Sequence, residues 1–149
     1  MVSITSCTQD IEELGYTPRR KVLSDEVIPA DAKRRTSLNL SEADQVFRLS
    51  RIYFADEEPL NFTTTYLPYK IFPDIDLYDF SKVSLYRIIE EKYGVKITKA
   101  TRTIEAVSAH GELAENLDVE ENVPLLQFCC TTYGLVNGKE IPIEYFKCC

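Results

Sequence analysis

The chain has 149 residues, 44% of them hydrophobic and 28% charged, with a formal net charge of −7. Those proportions suit a single globular domain with a sizeable core and exclude global disorder. The acidic balance argues against a duplex-binding surface, which needs clustered Lys and Arg, and against attachment to acidic membranes.

Thr8 stands as an N-cap ahead of a helical fragment, Gln9 to Leu14, which Gly15 ends. Thr17-Pro18 marks a turn, and Lys21 to Ile28 alternates loosely as a strand. Pro29-Ala30-Asp31 opens a short helix running to about Arg35, and Ser41 to Asp44 is a turn. Gln45 to Ala55 is a clear strand, and Leu60 to Tyr66 is a second one rich in aromatic and β-branched residues. With the turn Asp56-Glu57-Glu58 they form a hairpin. Pro68, Pro73 and the aspartates up to Asp79 read as a loop.

Ser84 to Tyr93 is the best helix, with Leu85, Ile88, Ile89 and Lys92 at helical spacing and Gly94 as its stop. Val95 to Val107 is a long strand, and Ala109 to Leu117 a helix with Leu113, Ala114 and Leu117 on one side. Val123 to Tyr133 and Glu140 to Cys148 are strands around Asn137-Gly138, a hairpin turn signal. Strands in hairpins with helices between groups predict an α+β fold around an antiparallel sheet, in one domain spanning 1–149. The last strand runs to Cys148-Cys149 without polar punctuation, so a longer parent protein is expected.

No run of about 18 apolar residues exists, and Met1-Val2-Ser3-Ile4 lacks the features of a signal peptide. The expected compartment is the cytoplasm. Of five cysteines, none stands in a C-x-x-C spacing, and adjacent ones on a strand point to opposite faces. They read as small, mostly buried apolar residues, with no metal site and no cofactor expected. The basic runs Arg19-Arg20-Lys21 and Lys33-Arg34-Arg35 read as solvated surface.

Several residues stand out as candidates for chemistry. Phe47, Leu49, Arg51 and Tyr53 share one face of their strand, which places Arg51 among apolar groups. A buried guanidinium needs a partner: an internal carboxylate, or a bound anion that fits its fork of donors. Ser84 begins the best helix, either as a plain N-cap or as an anion seat. The hydroxyls around Ser6 and Thr8 have the same two readings. Glu105 and Glu144 lie in strands among apolar neighbours, where paired carboxylates suit acid–base work but more often bind a hydroxyl or an Arg. The single histidine, His110, reads as exposed, and no nucleophilic triad or phosphate-cradling glycine loop can be assembled.

Taken in order, these stretches resemble the UTRA domain, the C-terminal sensor of GntR-type regulators of the HutC subfamily. The opening Thr5-Ser6-Cys7-Thr8-Gln9-Asp10 with Leu14-Gly15 is similar to the family's first segment, and Pro29-Ala30 precedes its first short helix. Arg51, Ala55-Asp56, Pro59-Leu60 and Tyr66-Leu67-Pro68 resemble "R-x-R-x-A-D-G-x-P…Y-L-P". Ser84-Leu85-Tyr86 with Glu91-Lys92-Tyr93-Gly94 resembles "S-L-Y…E-x-Y-G". Ile104-Glu105-Ala106, Leu113-Ala114 to Leu117, Pro124-Leu125-Leu126, Gly138 and Pro142-Ile143-Glu144 complete the series.

The resemblance covers nearly the whole chain and implies a chorismate-lyase-like α+β fold with a central antiparallel sheet and flanking helices. It implies a receiver for a small anionic effector such as a phosphorylated sugar, acting as a homodimer. It implies DNA contact only through an N-terminal winged helix-turn-helix that this sequence does not include. The family's "Y-R-G-D-R" continuation is also absent. Carried over by position, the effector-binding residues are Ser6, Thr8, Arg51, Ser84 and Tyr86, with Glu144 for sugar hydroxyls. Two positions depart from the pattern: Tyr53 replaces the second Arg, and Thr63 replaces an acid. The resemblance therefore leaves room for a less charged effector, or for Lys99 or Arg102 as a substitute cation. The fold also hosts a chorismate lyase, so an enzyme is the alternative, and an interaction module with an empty pocket is a third reading.

Overall fold

The structure, a computed structural model, describes residues 13–149. Six strands form one antiparallel sheet: β1 (Pro18–Pro29), β2 (Gln45–Ala55), β3 (Glu58–Pro68), β4 (Lys96–Ser108), β5 (Pro124–Val136) and β6 (Lys139–Cys148). Their spatial order is β1-β2-β3-β6-β5-β4, so the two hairpin-rich halves of the chain meet where β3 pairs with β6. Among the described residues three short α-helices accompany the sheet, α1 (Ala32–Leu38), α2 (Leu85–Glu91) and α3 (Glu112–Asn116), with a 3-10 turn at Ile75–Leu77.

Local chemistry explains the joints. Asp31 caps α1, its Oδ1 accepting from the Arg34 amide at 2.9 Å, and Asn39 ends the helix in the left-handed region. The helix therefore runs one turn beyond Arg35, the end that the sequence suggested. Asn137 and Gly138 have φ of 52° and 78°, the paired positive values of a tight hairpin turn between β5 and β6. Gly94 is also left-handed, and Val95 donates to the Ile89 carbonyl just beyond it, closing α2. α3 is shorter than the nine residues read from the sequence, since Gly111 (φ 54°) stands at its N-cap.

One face of the sheet carries the main core. Phe47, Leu49 and Leu67 project from β2 and β3 against Leu85, Ile88 and Ile89 of α2 and against Phe72, Ile75 and Phe80 of the preceding loop. On the opposite face, α1 packs Leu38 over Ala30, Val46 and Tyr66. Arg34 also sits here. It is only 7% exposed, with its guanidinium 4.0 Å from the Tyr66 ring centroid and 5.2 Å from that of Tyr145. Its basic run is therefore not solvated surface at this position; two tyrosine faces take the charge instead of water. The expectation of buried cysteines also needs correction. Cys130 is buried, while Cys129, Cys148 and Cys149 are half-buried. His110 is exposed and 3.2 Å from Glu121. Among the described residues no helix is long and apolar enough to cross a membrane.

Candidate functional site

The core face of the sheet is interrupted by polar side chains. Alternation along β2 puts Arg51 on the same face as Phe47 and Leu49, and it is 4% exposed. Its cross-strand neighbour on β3 is Thr63, and Leu49 faces Thr65. Thr65 in turn pairs with Phe146 of β6, and Phe146 with Cys130 of β5. One row further along, Thr132 of β5 faces Glu144 of β6. Arg51, Thr63, Thr65, Thr132 and Glu144 are all buried. Five buried polar groups on one face of a sheet are costly unless each is bonded or has a job.

Glu144 is held by a β-bulge. Thr132 faces Glu144 and Tyr133 faces Pro142, so Ile143 is the extra residue and enters the core beside it. Its Oε1 accepts two hydrogen bonds, from the Tyr86 hydroxyl at 2.7 Å and from Thr132 Oγ1 at 2.9 Å. Burial pushes the Glu144 carboxyl above its ordinary range, against those two bonds and the Arg51 charge. The phenol of Tyr86 is pushed well up, first by desolvation and then by the adjacent carboxylate. It is therefore a donor to Glu144 across the whole physiological range.

Arg51 is different. Among the described residues no carboxylate lies within 4.0 Å of it. Its guanidinium lies 5.1 Å from the Tyr53 ring centroid, and its buried Nε has no hydrogen-bond partner. The buried Oγ1 of Thr65, on the same face, is also unpartnered. Thr63 spends its hydroxyl on Asn61 Oδ1 at 2.9 Å. The site thus offers a guanidinium with an unpartnered Nε and an unpartnered hydroxyl, on the same face as a carboxylate oriented by two donors.

The structure places five of the eight residues the sequence singled out in two patches on the core side of the sheet. Arg51, Tyr53 and Thr63 form one patch. Tyr86 and Glu144 form another, joined directly by a hydrogen bond, so the Tyr86 hydroxyl serves the carboxylate. Ser84 occupies the N-cap position of α2, half-buried, and its side chain makes no capping bond. Ser6 and Thr8 lie outside the described residues. Glu105 is exposed and pairs with Gln127, on the face opposite Glu144, so the two carboxylates form no acid–base pair. Of the substitute cations, Lys99 is 3.4 Å from Glu140. Arg102 shares the site face, and its guanidinium lies over Phe128 at 5.5 Å. Sequence reading missed Thr65 and Thr132. Both sit in runs of threonines where only the register tells which one points inward.

Comparison with known proteins identifies the family. The family model of the UTRA domain matches residues 13–147. The HTH-type transcriptional regulator YurK of Bacillus subtilis is 29% identical over 133 residues, which are 89% of this chain and 55% of YurK. The mannosyl-D-glycerate transport/metabolism system repressor MngR of Escherichia coli is 26% identical over 136 residues, which are 91% of this chain and 56% of MngR. The chain spans about half the length of these curated relatives. A crystal structure of the ligand-binding domain of a GntR-family regulator from Bordetella bronchiseptica superimposes with a TM-score of 0.80 at 26% identity, covering 88% of this chain and 82% of that one. Both of these relatives are transcriptional regulators. With its chorismate-lyase-like α+β fold, the chain belongs to the UTRA domain family, the effector-binding domains of GntR-type transcriptional regulators.

Proposed function

We propose that this domain binds a small anionic metabolite of the sugar-phosphate class and reports its presence to a winged helix-turn-helix elsewhere in the parent protein. The observation that carries this reading is the pair of orphaned polar atoms, Arg51 Nε and Thr65 Oγ1, buried on the face that also holds Glu144. An unpaired buried guanidinium is unfavourable in the empty protein and becomes favourable once an anion supplies its partner. In this reading Arg51 and Thr65 take the anionic group, together with Ser84 at the N-cap of α2. Glu144 accepts hydroxyls of the sugar, steered by Tyr86 and Thr132. Tyr53 in place of a second cation favours one anionic group of modest charge. The name of MngR, which refers to mannosyl-D-glycerate, supports a glycosyl anion.

The same reading makes the parent a cytoplasmic homodimer that contacts DNA only through its winged helices. The outer edge of β4 pairs with no other strand in the sheet order, and its residues 99–106 are exposed on both faces, which suits pairing with a second copy. The effector shifts the dimer between two arrangements only by its differential affinity for them; a tenfold preference is about 1.4 kcal/mol. Calorimetric titration with glucosamine 6-phosphate, fructose 6-phosphate and mannosyl-D-glycerate tests the site. At least one is expected to bind and to lose binding in Arg51→Met. Silence across that panel, or binding unchanged in the variant, removes the proposal. Light scattering tests the dimer separately.

A further inference from the structure

The reverse face of the sheet holds a second buried guanidinium. Arg34 of α1 is 7% exposed, and its Nε has no hydrogen-bond partner. Among the described residues no carboxylate lies within 4.0 Å of its side-chain nitrogens. Asp31, three residues before it, accepts from the Arg34 amide instead. The charge meets two rings, 4.0 Å from the Tyr66 centroid and 5.2 Å from that of Tyr145. Burial, and then the hydrogen bond with Cys129, pushes the Tyr145 phenol up to about 12, so the cation faces a neutral ring. A buried charge without a carboxylate is costly, and a methionine would fill the same space without that cost.

The two rings belong to different halves of the sheet. Tyr66 lies on β3 and Tyr145 on β6, and they form the ladder pair nearest the Ile143 bulge. The ladder stops there, since Leu67 and Glu144 in the next row do not pair. Helix α1 is rooted in the first half, between β1 and β2. The Ala30 amide donates to the Asp44 carbonyl at 3.0 Å, Arg35 Nη1 donates to the Ala30 carbonyl at 2.9 Å, and Leu38 packs with Val46. From that root α1 lies across the seam against β6. Arg34 thus touches one ring from each half at the row where the backbone ladder gives out.

Alternation ties this contact to the opposite face. Tyr66 follows Thr65 and Tyr145 follows Glu144, so each ring points away from the residue before it. Thr65 carries the orphaned hydroxyl of the core face, and Glu144 its carboxylate. We propose that Arg34 is a positioning residue for the effector site: by clasping Tyr66 to Tyr145 on the reverse face, it sets the separation of Thr65 and Glu144 on the core face. The proposal rests on the reading of Arg51, Thr65 and Glu144 as that site. An effector that bridges Arg51 and Thr65 to Glu144 closes the same seam from the other side, so the clasp and the effector favour one arrangement.

The test reads the Tyr86 phenol, which hydrogen-bonds to Glu144 from α2. In protein labelled at the tyrosine Cζ carbons, Arg34→Met should move the Tyr86 NMR signal. Arg34→Lys keeps a cation over the rings and should recover most of that shift. Tyr145→Leu opens the clasp from the β6 side, should move the signal in the same direction, and serves if Arg34→Met does not fold. A double-variant cycle is the second readout. Residues without shared contacts usually act additively, whereas Arg34→Met with Glu144→Gln should change the unfolding constant by about tenfold more or less than the product of the single effects. Affinity for glucosamine 6-phosphate should fall about fivefold in Arg34→Met, although Arg34 lies on the other face. A parent that ignores this sugar phosphate counts against the proposed effector, while the Tyr86 signal and the cycle still decide the clasp. A Tyr86 signal unmoved in both Arg34→Met and Tyr145→Leu, or single effects that simply multiply, overturns it.

Discussion

Arg51 and Glu144 are buried on the same face of one sheet and yet do not form an ion pair. The carboxylate takes its hydrogen bonds from Tyr86 and Thr132, and the guanidinium charge reaches it only at a distance. A fold selected for stability alone would close that gap or replace both residues with apolar ones. In the proposed function each of the two charges meets a different part of one ligand.

The first prediction concerns the cation. Arg51→Met keeps the length and apolar contacts of the side chain but removes a buried charge that no carboxylate of the described residues pairs within 4.0 Å. Its Tm should be equal to or above that of the parent. Affinity for an anionic effector should fall by about 1.5–3 kcal/mol, the usual loss for hydrogen bonds to a charged group. Thermal unfolding and calorimetry on the same samples read both effects. A large drop in Tm would show that Arg51 is a structural residue.

Thr65→Val is the matching test of the orphaned hydroxyl. The two side chains have nearly the same shape, so the change removes an unsatisfied polar atom without opening a cavity. Relief of that burial cost stabilises the empty domain by about 1 kcal/mol, while effector binding weakens. Denaturant midpoints at constant m-value measure the first effect. A destabilised variant would mean that Thr65 has a partner in solution.

Glu144 makes stability depend on pH. Its carboxyl is raised in the folded state, so the associated contribution is complete below the ordinary value of 4.5 and is lost as pH rises through the folded value. Glu144→Gln keeps an acceptor for Tyr86 and Thr132 and abolishes this loss. The variant should gain stability relative to the parent as pH increases from 4.5 toward 7, with little difference at pH 4.5. Parallel pH profiles for the two proteins would contradict the assignment.

Tyr86→Phe removes one of the two donors and pushes the carboxyl higher still. It should cost about 1.5–3 kcal/mol at neutral pH, and less near pH 4.5, where the raised carboxyl carries less charge. The same urea titrations at two pH values decide it.

Gly134→Ala probes the close approach that seats β6. An added Cβ there meets Val95 Cγ1 at 2.8 Å, Ile143 Cδ1 at 2.9 Å and the Lys96 carbonyl at 3.0 Å. The two side chains can yield but the carbonyl cannot, so about 1–3 kcal/mol of stability should be lost. Because Ile143 is the bulge residue next to Glu144, effector affinity should fall as well, read by calorimetry.

Much of the fold was legible because it is written in local chemistry. Asp31 as a cap, Asn137-Gly138 as a hairpin turn and the full extent of β2 all follow from residue type and spacing. The face of Arg51 followed from alternation alone. Where local signals are weak, the reading strayed. α3 is shorter and α1 longer than periodicity suggested, and Arg34 looked like surface until two tyrosines from distant strands closed over it.

The amino-acid sequence by itself determined the α+β class, the family, and the presence of a lone arginine and a strand glutamate as candidates for ligand contact. Only the tertiary structure decided which threonines join them, that Tyr86 serves Glu144, and that Glu105 faces the other way. The reason is register. Pairing β3 with β6 and β5 with β6 brings together residues some eighty positions apart, and shifting either by one residue would send every polar group of the site to the opposite face.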